Sequence, residues 1–353
     1  MKTDLTLTQM ATELDRRNAA KRDFVANIDT QLSMNAKLGL ELALPGAKPI
    51  ALEEGEIFRE QALAHYKVPR EYADRIRTAH PALYARTLNT FFQEEPTRRM
   101  VRVLDGKARA FLSDRYRPLD NYELAQAVLP ELMSHDSIRV ESTSFTERRF
   151  YLKAVLPKIE TEVKVGDPVQ IGIMVSNSEV GSGALQVAPL IYRLICKNGM
   201  VSPDYGQRRY HVGKRASETE DAFELYSDRT KQLDDAAFFM KVKDTVRGVL
   251  TRDVLEKLVE KMRDATQQRL EAKNLASVVE VTAKHFGYTE GTAGGILRHL
   301  IEGGDLSRYG LMNAITRQSQ DETSYERATQ LEVDGARILE LPKTDWRAIA
   351  EAA

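Results

Sequence analysis

The chain has one cysteine, Cys196, in 353 residues, which excludes an intramolecular disulfide and suits a reducing, cytoplasmic setting. No apolar run approaches the roughly 18 residues a membrane span needs, and MKTDLTLTQMATELDRR has no apolar signal-peptide core. The six histidines are scattered singly, with no His-x-x-x-His and no Cys-x-x-Cys, so the sequence offers neither a metal site nor a cofactor site. A phosphate loop is also missing. Gly206 and Gly213-Lys214-Arg215 have the wrong glycine spacing, and no Ser or Thr follows the lysine. Cys196 sits in the apolar run LIYRLICKNG, where a thiol is ordinarily inert, so no catalytic residue is assigned and no enzyme is expected. A net charge of −1 also speaks against a dedicated nucleic-acid binder.

The distribution of charge says more than its total. Residues 98–215 hold 19 Lys and Arg against 13 Asp and Glu, a net of +6, so the rest of the chain carries −7. A basic centre between acidic flanks points to an anionic partner. Residues 98–117 are the extreme, with seven basic and two acidic residues.

That extreme is a hairpin. MVRVL and KARAFLS flank Asp105-Gly106, a strong signal for a type I′ turn. A two-residue loop predicts that Leu104 faces Lys107, Val103 faces Ala108, Arg102 faces Arg109 and Val101 faces Ala110. With period 2, Val101, Val103, Ala108 and Ala110 share an apolar face. Arg102, Lys107, Arg109 and Phe111 share the other, with Met100 and Leu104. Two arginines opposite each other repel, and a polyanion on that face would relieve them.

The expected fold is α+β. Residues 1–97 form a helical N-terminal region, 98–215 a basic β-rich core around one central, mainly antiparallel sheet, and 216–353 a helical C-terminal region. Within the first region, 28–50 reads as irregular or short strand, and Pro69 and Pro81 start helices. After the hairpin, Asp120-Asn121 caps a helix, and a meander of about five strands follows. It includes paired segments at 138–145 and 150–156 and at 159–165 and 169–176. Pro189 suits an edge or a bulge.

Basic residues stand beside aromatics at Arg115-Tyr116-Arg117, Arg148-Arg149-Phe150-Tyr151, Tyr192-Arg193 and Arg208-Arg209-Tyr210. Single-strand binders combine cationic grooves with aromatic stacking platforms. The candidate nucleic-acid contacts are Arg98, Arg99, Arg102, Lys107, Arg109, Arg115, Arg117, Arg148, Arg149, Arg193 and Lys197, with Phe111, Tyr116 and Tyr151 stacking. Asn177, Ser178, Gly181 and Gly183 form a candidate phosphate-binding loop, a nest of backbone N–H groups.

RVLDGKARAFLSDRYRPLDN, NSEVGSGALQVAPLIYRLICKNGM, SRYGLMNAITR and ATQLEVDGARILEL together resemble a phage- and plasmid-like family, domain of unknown function nine-three-two, from about residue 50 onward. The resemblance implies a mobile-element protein acting in DNA recombination or replication. In topology, a basic hairpin followed by a helix and further strands is similar to phage single-strand annealing proteins of the RecT and Red-beta kind. That likeness implies a homo-oligomer, a ring or filament, holding single-stranded DNA. The expected function is therefore single-stranded DNA binding with strand annealing. The alternative is an interaction factor of a mobile element that counters a host defence through its acidic helices.

Overall fold

A computed structural model describes residues 1–2, 4–203, 206–209, 228–271 and 274–352. The α+β class holds, but the strands form two sheets where one was expected. The first sheet draws most of its strands from the N-terminal region read as helical. After helix α1 (Leu7–Ala20) come β1 (Arg22–Asn27), a single turn α2 (Ile28–Gln31), β2 (Leu32–Met34), β3 (Gly39–Leu42) and β4 (Ile50–Glu54). Three helices follow, α3 (Glu56–His65), α4 (Arg70–Ala79) and α5 (Pro81–Glu94), the last two started by Pro69 and Pro81 as expected. The hairpin of β5 (Arg98–Leu104) and β6 (Lys107–Ser113) then inserts into the middle of the earlier strands, giving the order β1-β5-β6-β4-β3-β2.

The turn forms as the sequence indicates, with φ of 52° at Asp105 and 76° at Gly106, both in the region a type I′ turn demands. The register beyond it differs. Leu104 faces Lys107 and Val103 faces Ala108, but Arg102 faces Ala110 and Val101 faces Phe111. Arg109 is thus the extra residue of a β-bulge, and the repulsive Arg102–Arg109 pair does not exist. Because side chains alternate, one inserted residue exchanges the faces beyond it. Phe111 joins Val101, Val103 and Ala108 in the core beneath α3 to α5. Ala110 turns to the other side, with Met100 and Leu112.

β4 pairs with β6 in parallel for two residues only, at Glu53 and Glu54. From there the chain turns into α3, which runs along the rest of the β6 edge. Gly55 makes the switch: a Cβ there would stand 2.4 Å from the Ala108 carbonyl oxygen.

The second sheet begins after helix α6 (Asn121–Met133). It is antiparallel, in the order β11-β10-β9-β8-β7: β7 (Arg139–Phe145), β8 (Phe150–Glu162), β9 (Pro168–Asn177), β10 (Leu185–Arg193) and β11 (Asn198–Val201). Two segments expected to be separate, 150–156 and 159–165, run together as β8, with a register shift between Leu156 and Glu160. Pro189 lies inside β10, at neither an edge nor a bulge. It is tolerated because β11 pairs with residues 190–193 and the short β12 (Gln207–Arg209) with 185–187, leaving Pro189 at the gap. Among the described residues the remaining chain is helical, from α7 (Asp228–Val249) to α13 (Lys343–Ala350). It packs with α1 and α6 onto the second sheet in the larger core. Among the described residues no helix is long and apolar enough to cross a membrane.

Candidate nucleic-acid interface

The two sheets meet where the loop after β9 reaches the hairpin, and the residues expected to hold DNA are mostly spent on that junction. Arg102 is 0% exposed. Its Nε and Nη2 donate to the two Asp23 carboxylate oxygens at 3.0 and 2.8 Å. Nη2 also donates to Asp120 Oδ1 at 2.7 Å, and Nη1 to the Glu179 carbonyl at 2.8 Å. Burial alone would lower the Arg102 pKa; the carboxylates of Asp120, Asp23 and Glu179 outweigh it and raise it. Asp120 answers in the opposite sense: burial would raise its pKa, but Arg102 and Lys21 pull it below the ordinary carboxylate value.

The Glu179 side chain, from the loop expected to hold a phosphate, is itself the anion of this junction. One carboxylate oxygen accepts the Asn121 N–H at the start of α6 at 2.8 Å, and the other accepts Arg109 Nη1 at 2.8 Å. A helix N-terminus favours an anion, and here the chain supplies its own. The rest of the loop is equally committed. Asn177 Nδ2 donates to the Leu119 carbonyl at 2.6 Å, and the Ser178 carbonyl accepts the Tyr116 hydroxyl at 3.1 Å. Gln61 of α3 donates to the Val180 carbonyl at 2.7 Å and accepts the Phe111 N–H at 2.8 Å, joining loop and hairpin. Arg149 donates to the Ser182 carbonyl at 3.1 Å and packs against Gly183 so closely that a Cβ there would overlap its guanidinium. Asn177 and Ser178 are buried; only Gly181 is exposed.

The three expected stacking platforms are core residues. Phe111 meets Phe58 edge-on at 5.3 Å between ring centroids. Tyr116 is buried, and Tyr151 packs on Tyr325 at 5.1 Å. Their hydrophobic area outweighs any advantage of display on a surface. Other expected contacts pair with carboxylates: Arg117 with Asp234 and Asp235, Arg148 with Glu60, and Arg193 with Asp167. Lys107 and Arg115 are half-buried at the two ends of β6, and Lys197 is exposed in a distant turn of the second sheet. Tyr210, expected to stand with Arg208 and Arg209, lies outside the described residues.

Arg98 and Arg99, at the open end of the hairpin, are different. Among the described residues neither has a carboxylate within ion-pair distance. Arg98 is exposed. Arg99 is half-buried, its guanidinium 5.5 Å from the Phe111 ring centroid and Nη2 at 2.7 and 2.8 Å from the two ring nitrogens of His65. Arg99 Nε is buried with no hydrogen-bond partner, and burial lowers the pKa of the group. Burial, and then the Arg99 charge, lower the His65 pKa as well. A desolvated cation beside a second protonatable ring is stabilised by any anion that reaches it. His65 carries no sequence signal beyond being one of six scattered histidines; only the α3 packing brings it here.

The model for the Domain of unknown function (DUF932) matches residues 109–347. The chain belongs to the DUF932 family. The match begins within β6, so it takes in Asp120, Glu179 and the whole second sheet, while β1 to β5, with Asp23, Arg99 and Arg102, lie ahead of it. The resemblance drawn from residue 50 onward is therefore supported from Arg109. No curated protein and no solved structure matches the chain.

Proposed function

We propose that this DUF932 protein binds single-stranded DNA at the open end of the β5–β6 hairpin, with Arg98 and Arg99 as the principal phosphate contacts. The observation that carries this reading is Arg99, a half-buried guanidinium with an unpartnered Nε and, among the described residues, no carboxylate within ion-pair distance. Neighbouring strand residues point to opposite faces, so the two arginines straddle the strand end and grip a backbone that crosses it. Lys107, at the far end of the hairpin, is peripheral. The mobile-element setting implied by the resemblance makes recombination or replication intermediates the ligand. Annealing requires two strands held at once, hence a homo-oligomer.

The test is the salt dependence of affinity for a labelled single strand, read by fluorescence anisotropy. Each full phosphate contact on a single strand contributes roughly 0.7 to the slope of log affinity against log salt. The Arg98→Ala/Arg99→Ala variant is expected to flatten that slope by about 1.4 while keeping its denaturant midpoint. An unchanged slope, or no binding by the native protein at low salt, overturns the reading.

A further inference from the structure

The sheet edges of this protein are treated unequally. On β2, Asn89 clamps the open side of Met34, accepting its N–H and donating to its carbonyl, both at 2.8 Å. On β7, the Asp4 and Leu5 N–H groups donate to the Thr143 carbonyl at 3.3 and 3.2 Å. On β6, Gln61 takes the free N–H of Phe111. Unpaired edges invite pairing with another chain, and side chains or segments laid across them are the usual protection.

β1 has almost none. Ile28 N donates to the Thr97 carbonyl, so in the alternating antiparallel ladder Ala26, Phe24 and Arg22 exchange bonds with β5. The backbone groups of Asp23, Val25 and Asn27 therefore point away from the sheet. Asn27 N donates outward to Gln31 Oε1 at 2.7 Å, which agrees with that assignment. No partner meets the outward groups of Asp23 and Val25 among the described residues. The Val25 side chain is 42% exposed, while Phe24 and Ala26 alternate with it toward the core.

We propose that β1 is a homodimer interface, in which two copies pair their β1 strands antiparallel across a two-fold axis, with Val25 opposite Val25 of the second copy. An axis perpendicular to the sheet keeps equivalent faces together, so only residues of the same parity can face each other. Centring on Asp23 sets two carboxylates opposite each other, and centring on Phe24 buries Asp23 against Val25. Centring on Val25 joins the two exposed apolar side chains, places Phe24 opposite Ala26 and Asp23 opposite Asn27, and brings no like charges together. It also lets the free backbone groups of Val25 bond each other. An isologous contact of this kind closes on itself. The inference does not depend on DNA binding.

The experiment is sedimentation equilibrium of the full chain without DNA. Native protein should show a concentration-dependent monomer–dimer equilibrium. Val25→Lys and Val25→Glu each set like charges opposite across the axis and should raise the dissociation constant on the order of tenfold or more, with unchanged thermal melts of the monomer. Mixing the two variants should restore a dimer containing one of each. A native protein that is monomeric throughout overturns the interface. So do variants that dimerise as well as native protein, or a mixture that stays as weak as its components.

Discussion

The closed half of the β5–β6 hairpin and its open end carry the same residue type in two different physical situations. Toward the turn, Arg102 and Arg109 are held by Asp23, Asp120 and Glu179, and their charge is consumed in joining two sheets. At the open end, Arg98 and Arg99 have no carboxylate within ion-pair distance among the described residues; His65 and the Phe111 ring stand against Arg99, and Asp114 acts on it only from farther off. Counting arginines cannot separate these cases. What separates them is whether the fold brings an acid from elsewhere in the chain, and that decides whether a charge is left for a ligand.

The sharpest way to break the contrast is Arg102→Ala. It leaves Asp23 without its partner and buried Asp120 with Lys21 alone, and should cost about 3–5 kcal/mol in denaturant unfolding, with the DNA affinity of the folded fraction unchanged. A loss of DNA affinity without a loss of stability would erase the distinction between the two ends. The opposite pattern is expected of Arg98→Ala/Arg99→Ala, with stability kept and the salt slope flattened by about 1.4.

Asp120 gives the junction its pH signature. Its folded pKa lies below its unfolded value of about 3.9, so its contribution is complete above that value and disappears as pH falls through the folded one. Asp120→Asn should therefore be less stable than native protein at pH near 7, and the gap should narrow below pH of about 4. A gap of constant size would mean that the carboxylate acts by shape alone. The smallest effect belongs to Arg148→Ala. The Arg148 side chain is 39% exposed in its pair with Glu60, and its loss should stay within about 1 kcal/mol.

Much of the architecture is legible in the residues. The Asp105-Gly106 turn, the proline-started helices and a meander of about five strands follow from local chemistry. A helix does start at Asp120-Asn121, but Asp120 makes no cap bond, its carboxylate going to Arg102 and Lys21 while Glu179 takes the Asn121 N–H. The bulge at Arg109 does not follow from local chemistry. In KARAFLS the alternation ends at Ala110-Phe111-Leu112, which does not by itself place an extra residue, and Arg109 is held by Glu179 from a loop 70 residues away. That single displacement sent Phe111 into the core and removed the arginine pair on which the basic face was built. The strands β1 and β4 were missed, and β2 and β3 were read no further than irregular or short strand, because they are short and share no clear period, and their sheet exists only once the hairpin is inserted among them. The aromatic neighbours of arginine were misplaced for a simpler reason. A tyrosine beside an arginine reads alike whether it packs inward or lies open.

The junction around Glu179 also bears on the order of folding. Its bonds join residues far apart in sequence, with separations of 79 between Arg102 and Asp23, 77 between Arg102 and Glu179, and 58 between Asn121 and Glu179. The hairpin closes over two residues and the meander over short turns, so each can form before these distant groups meet. The bonds at Glu179 are then expected to close last, after the rate-limiting barrier, and to act chiefly as a brake on unfolding. On that account the seam works as a latch: it contributes little to how fast the two sheets assemble and much to how long they stay together.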